Sequence, residues 1–168
     1  MVPRRLLYVS ALFSTLALVA APTTLRAQLT PASRRDSADV AVALRRFLTA
    51  FENLEWQSFR AAFADSATVF HPAPTMAERV TGRAGIDSTF RAVFADVRAH
   101  ATGGPPFHRL TPVDLRTQPL APGVVLATFE LRNAERLGRR TVVFGRERDG
   151  WRIVHLHASN IAASAPKP

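Results

Sequence analysis

The chain has 168 residues, a formal net charge of +9 and no cysteine. That length suits one domain with a core that needs no staples. The missing thiols exclude a disulfide scaffold, thiolate zinc sites, iron–sulfur clusters and thiol catalysis. Twenty-one of the 22 basic residues are Arg, scattered singly or in pairs between acids. A nucleic-acid partner would call for basic charge gathered on one face, so none is expected.

Arg4 and Arg5 precede Leu6–Ala21, which is apolar or small throughout, and small residues lead to a plausible cut after Ala27. Residues 1–27 therefore read as a secretory signal peptide, giving a periplasmic or secreted protein. The residues that flank a twin-arginine motif are mostly absent. No second apolar run is long enough to span a membrane. Residues 28–38, with Thr30, Pro31 and Ser33, read as a flexible lead-in.

Asp36 or Ser37 can cap a first helix, with Asp39 in its first turn. Val40, Ala43, Leu44, Phe47, Leu48 and Phe51 then recur at helical spacing. A shorter helix over Glu55–Ala64 carries Trp56, Phe59, Ala62 and Phe63. Ala67–His71 is β-branched and aromatic and ends at Pro72, which predicts a short strand opening into a loop. Gly82 and Gly85 punctuate that loop, and Asp87 can cap a third helix bearing Phe90, Val93, Phe94 and Val97. Ala101–Pro106 is a break. Strands follow over His108–Gln118, Gly123–Asn133, Gly138–Arg148 and Trp151–Asn160, the last two joined by the hairpin turn Asp149–Gly150. Strands grouped after helices predict an α+β fold in which helices cover one face of a curved antiparallel sheet. The domain is expected over 39–161, and 162–168 reads as a disordered tail.

The closing segment Asp149-Gly150-Trp151-Arg152-Ile153-Val154-His155-Leu156-His157-Ala158-Ser159 resembles the last strand of the nuclear-transport-factor-2-like superfamily. It is most similar to the SnoaL-like branch and to the association domain of calcium/calmodulin-dependent kinase. Phe51-Glu52-Asn53-Leu54-Glu55-Trp56 matches the joint between that superfamily's first two helices. Val69-Phe70-His71-Pro72 and Gly82-Arg83-Ala84-Gly85-Ile86 resemble its first strand, loop and third helix. The resemblance implies an α+β cone, a curved sheet wrapped by three helices around a cavity, and a homodimer on the outer sheet face. It implies no single reaction, because the superfamily spans isomerases, cyclases, dehydratases, hydrolases and members that only bind or assemble. The one tyrosine, Tyr8, falls in the leader, so the isomerase pattern lacks its phenolic donor.

Strand period assigns the candidate residues. Leu126, Thr128, Glu130 and Arg132 share one face of their strand, which would floor the cavity with a polar row. His71, at a proline-bounded strand end, is a candidate proton carrier with Glu130 as its partner. Trp56 and Phe90 are expected as cavity wall, and Thr128 and Arg132 as ligand contacts. His155 and His157 share a strand face with Trp151, Ile153 and Ser159, opposite Val154, Leu156 and Ala158. Trp151, His155 and His157 are therefore expected at the dimer interface. Metal binding by the two histidines would need His71, His108 or Glu130 as a third ligand, and no metal or cofactor is expected. The function expected is binding of a small apolar or anionic molecule in the cone. The alternatives are proton-transfer or hydrolytic chemistry by His71 and Glu130, and a purely structural dimerisation module.

Overall fold

The computed structural model describes residues 31–73, 78–133 and 136–162, with the side chains of 31 and 32 left aside. The proposed leader and most of the expected tail lie outside the described residues. Helices α1 (Pro31–Glu52) and α2 (Trp56–Ala61) come first, then β1 (Phe63–Phe70), β2 (Val80–Thr81) and α3 (Gly82–His100). Strands β3 (Val113–Ala121), β4 (Val124–Arg132), β5 (Arg136–Glu147) and β6 (Gly150–Ala162) complete the chain. One curved six-stranded sheet runs β2-β1-β6-β5-β4-β3. All its pairings are antiparallel except β1 with β6, which run parallel. The α+β class and the cone of three helices on a sheet match the expectation.

Helix α1 buries Val40, Leu44, Phe47 and Leu48, the stripe that period 3.6 requires. It begins at Pro31, inside the segment expected as a flexible lead-in. Proline suits a first helical turn, and Arg146 of β5 pairs with Asp36 and reaches Asp39 at 4.0 Å, pinning the turns that follow to the sheet. Helix α3 likewise starts before Asp87. The Asp87 carboxylate caps nothing there and instead accepts from Arg60 Nε at 2.7 Å.

The joint between α1 and α2 is closed by two bonds, Leu54 N–H to the Phe51 carbonyl and Glu55 N–H to the Ala50 carbonyl. This pattern needs a left-handed residue, usually Gly, and here Leu54 takes it with φ 54°. The strain is about 1 kcal/mol. Leu54 is only 2% exposed, so burying its side chain, worth roughly 2 kcal/mol, outweighs the strain. Arg98 donates to the Leu54 carbonyl at 2.8 Å and ties the joint to α3.

Arg60 is 7% exposed. It donates to Asp87 of α3, to Asp65 of β1 at 3.2 Å and to the Phe63 carbonyl at 3.1 Å, so one guanidinium fastens α2, β1 and α3 together.

Replacing Leu54 by Gly should lower the unfolding free energy by about 2 kcal/mol in urea titrations, because lost burial and the cavity exceed the relieved strain. A more stable variant would mean that backbone strain dominates this joint.

Candidate functional site

Period two along the strands sorts side chains between the helix-covered inner face and an outer face. On β4, Val125, Ala127 and Phe129 are buried under the helices. The alternate row of Leu126, Thr128, Glu130 and Arg132 therefore faces outward, and the expected polar cavity floor is not there. Glu130 accepts from Arg132 Nε at 2.9 Å on that outer face. The phenylalanine core claims the other side, and the charged pair takes the solvated one. Thr128 lies outward too, between Arg116 of β3 and Thr141 of β5.

On β6 a bulge decides the faces. Phe144 pairs with Ile153 and Val143 with His155, so Val154 has no partner on β5. Ile153, Leu156 and Ala158 point inward, whereas His155 and His157 point outward, as expected. The extra residue shifts the phase, so Trp151 falls on the inner side with Ile153. There it packs against the core, with Arg146 over its ring at 4.7 Å. Trp151 thus does not share a face with the two histidines. Their true neighbours are Thr68 and Phe70 of β1. Thr68 Oγ1 and His155 Nδ1 share a hydrogen bond at 2.7 Å. The Phe70 ring lies 5.5 Å from His157 and 6.0 Å from His155. Partial burial, then the neighbouring His157, hold the His155 pKa below its ordinary value. Among the described residues no group of three His, Asp or Glu could hold a metal ion.

The cone interior is filled rather than hollow around Phe59. The Phe59 ring lies 4.8 Å from Phe90, 5.0 Å from Phe94 and 5.3 Å from Phe63. Phe90 is one side of this cluster and also reaches the His71 ring at 5.9 Å. Trp56 lies 6.2 Å from the Phe59 ring, edge-on to Phe94 and under the Arg91 guanidinium at 4.2 Å. The two expected wall residues therefore both pack on Phe59, inside the filled cluster. A hollow of about 750 Å³ lies elsewhere, between α1, α2 and the β5–β6 turn. Its rim mixes Arg45, Arg46 and Arg152 with Asp39, Glu55 and Asp149. Such a rim offers no net charge to a ligand.

Polar groups converge instead at the end of the inner face where β1 stops. The β1–β6 register sets Phe70 opposite His157, so His71 comes next, beside Ala158. Ala158 pairs with Arg140 of β5, and Arg140 with Phe129 of β4. His71, Ala158, Arg140 and Phe129 thus form one row across the inner face. Burial draws the Arg140 pKa down from its ordinary value. Among the described residues no carboxylate lies within ion-pair reach of it. It donates instead to the Arg139 and Ser159 carbonyls and to Asn160 Oδ1.

His71 has its pKa lowered by burial and then by the positive charge of Arg140. Its Nδ1 accepts from the Ala73 N–H at 3.1 Å, so the neutral ring carries its proton on Nε2. In that tautomer Nε2 is a donor and cannot take a proton. The expected pairing of His71 with Glu130 also fails, since the two lie on opposite faces of the sheet. On the far side of Phe90, Phe51 lies 6.4 Å away and His108 stands 5.7 Å from Phe51. The Glu52 carbonyl and carboxylate hold the backbone N–H groups of Phe107 and Leu110, which fixes the loop bearing His108.

Arg140 was open to sequence reasoning and missed. It shares a strand phase with Val142 and Phe144, both core residues, which already marks an arginine on the buried face.

A model of the SnoaL-like domain matches residues 40–164. The chain belongs to that family. No curated protein matches it. Among solved structures it is similar to a candidate dehydratase of the NTF2-like family from Streptomyces avermitilis. That match has 19% identity and a TM-score of 0.63, and covers 77% of this chain and 99% of that one. A candidate ketosteroid isomerase from Parabacteroides distasonis matches at 14% identity and TM-score 0.57, over 80% and 94% of the two chains. The association domain of C. elegans CaMKII matches at 14% and 0.58, over 75% and 96%. At these identities the likeness shows the fold alone, and the SnoaL-like domain must be read from its own residues.

His71, His108 and His155 all have lowered pKa values. Between their folded values and the unfolded value of about 6.5, the unfolded chain binds more protons, so stability falls as pH drops through that window. Thermal unfolding midpoints should therefore decline below about pH 6.5. The decline should flatten in a variant with all three changed to Gln, and an equal slope in both proteins would contradict the assignment.

Proposed function

We propose that this SnoaL-like domain binds a small anionic molecule at the open end of its inner sheet face, with Arg140 as the charged contact and His71 as a neutral donor. The observation that carries this reading is the half-buried Arg140, set among Phe129 and Ala158 with no carboxylate partner among the described residues. Taking a guanidinium out of water is costly unless something returns the lost interaction. Two backbone carbonyls and one amide oxygen return part of it, and a bound anion would supply the rest.

Two wider features belong to the same reading. Residues 1–27 would be removed on export, so the domain would meet its ligand in the periplasm or outside the cell. The outer face bearing Phe70, His155 and His157 would pair two copies into a homodimer. Support for pairing comes from an aromatic group left on an open sheet face and from the fold shared with an association domain. Amino-terminal sequencing of exported protein should begin at Gln28, and retention of Met1 on the exported protein would refute export with cleavage.

The binding test is calorimetric titration with small organic anions. Changing Arg140 to Met should weaken binding by about ten- to a hundredfold, the worth of roughly 1.5–3 kcal/mol for a charged hydrogen bond. Changing Glu130 to Gln should leave binding untouched. Unchanged affinity in the Arg140 variant would defeat the proposal.

A further inference from the structure

The hydrogen bonds of Arg140 say which anion the site would take, an inference that rests on the binding function just proposed. A guanidinium has five N–H bonds in a plane. Nη1 spends two, on the Arg139 carbonyl at 2.9 Å and the Ser159 carbonyl at 3.0 Å, and Nη2 spends one on Asn160 Oδ1 at 3.2 Å. Among the described residues, Nε–H and one Nη2–H are left without a partner. With Asn160 Oδ1 taken by the Nη2–H on the Nη1 side, these two lie on one edge of the group, parallel to each other, at the spacing of the two oxygens of a carboxylate.

The strand beneath makes room for this arrangement. A Cβ on Gly138 would stand 2.9 Å from Arg140 Nη1, 3.0 Å from Nη2 and 3.0 Å from Asn160 Oδ1. The first is shorter than real contacts show and the other two are tighter than nearly all of them, so the guanidinium lies directly over the bare backbone of Gly138. Gly138 pairs with Asn160 across the β5–β6 ladder, which brings the amide oxygen to the same spot. The committed edge of Arg140 is thereby fixed, and the free edge is held in a set orientation. The neutrality of Asn160 matters as well. An aspartate there would supply a carboxylate of the chain's own and cancel the charge that a ligand would seek.

We infer that the ligand's charged end is a carboxylate gripped by the free edge of Arg140, and that Gly138 and Asn160 are positioning residues that aim this edge. His71 Nε2–H lies in the same row and supplies a further donor.

The test titrates the full mature protein with benzoate, benzamide and phenylphosphonate, following affinity by calorimetry and location by the amide resonances of His71 and Phe90. The wild type should bind benzoate at least tenfold more tightly than either comparator. Arg140→Lys, which keeps the charge and loses the planar edge, should lose that preference. Asn160→Asp should bring benzoate affinity down to that for benzamide with an unchanged melting temperature, and Asn160→Ser should retain most of the preference. Gly138→Ala, whose added methyl displaces the guanidinium, should behave as Asn160→Asp does. Equal binding of benzoate and benzamide at His71 and Phe90 would overturn the carboxylate inference while leaving a small-molecule site in place. Equal binding of phenylphosphonate would overturn the carboxylate class, and a full benzoate preference in Asn160→Asp would overturn the positioning role. Binding of none of the three probes would remove both the inference and the function it rests on.

Discussion

The ring of Phe59 is the piece around which this molecule closes. It is fully buried and lies against Phe47, Phe51, Phe63, Phe90 and Phe94, drawn from both long helices and the first strand. Aromatic packing of this density binds the elements and consumes the space between them. A cone that might have held a ligand at its centre is therefore filled there. At the margin of that packing the polar row of His71 and Arg140 begins, where the binding proposed above would take place. Filling the middle and leaving the end polar are two sides of one choice of side chains.

That margin exists because the strands alternate between faces except where a bulge intervenes. Burying Val125, Ala127 and Phe129 forces Glu130 and Arg132 outward, where they neutralise each other in water. The same alternation on β5 carries Arg140 inward with Val142 and Phe144. One arginine thus pairs with a neighbouring acid and is spent, while the other is held by neutral oxygens and keeps its charge available. The difference between the two lies in the strand face each occupies and in the partner it finds there, not in the residue type.

Much of the architecture was legible in the chain itself. The helical stripe from Val40 to Phe51, the Asp149–Gly150 turn and the four closing strands follow from period and turn chemistry, and the last strand's pattern pointed to the family. The faces were less legible. Period two fixes which residues of β4 share a side, yet which side meets the helices depends on the sum of packing across the whole sheet. The bulge at Val154 separates Trp151 from His155, and nothing in Trp-Arg-Ile-Val-His announces it. The helices start before the expected caps for a similar reason. Asp36 and Asp87 look like caps, but distant arginines, Arg146 and Arg60, take their carboxylates. A proline ending its strand marks His71, whereas its tautomer depends on the Ala73 amide, which only a folded loop brings near.

The proposed binding puts the charge available to a ligand on the inner face, at Arg140. Arginine Nε–H groups give separate signals in proton–nitrogen correlation spectra, and the free edge of Arg140 includes its Nε–H. Addition of benzoate should move the Arg140 signal in a saturable way and leave those of exposed Arg45 and Arg46 in place. A titration that moves Arg45 and Arg46 while Arg140 stays still would contradict the account.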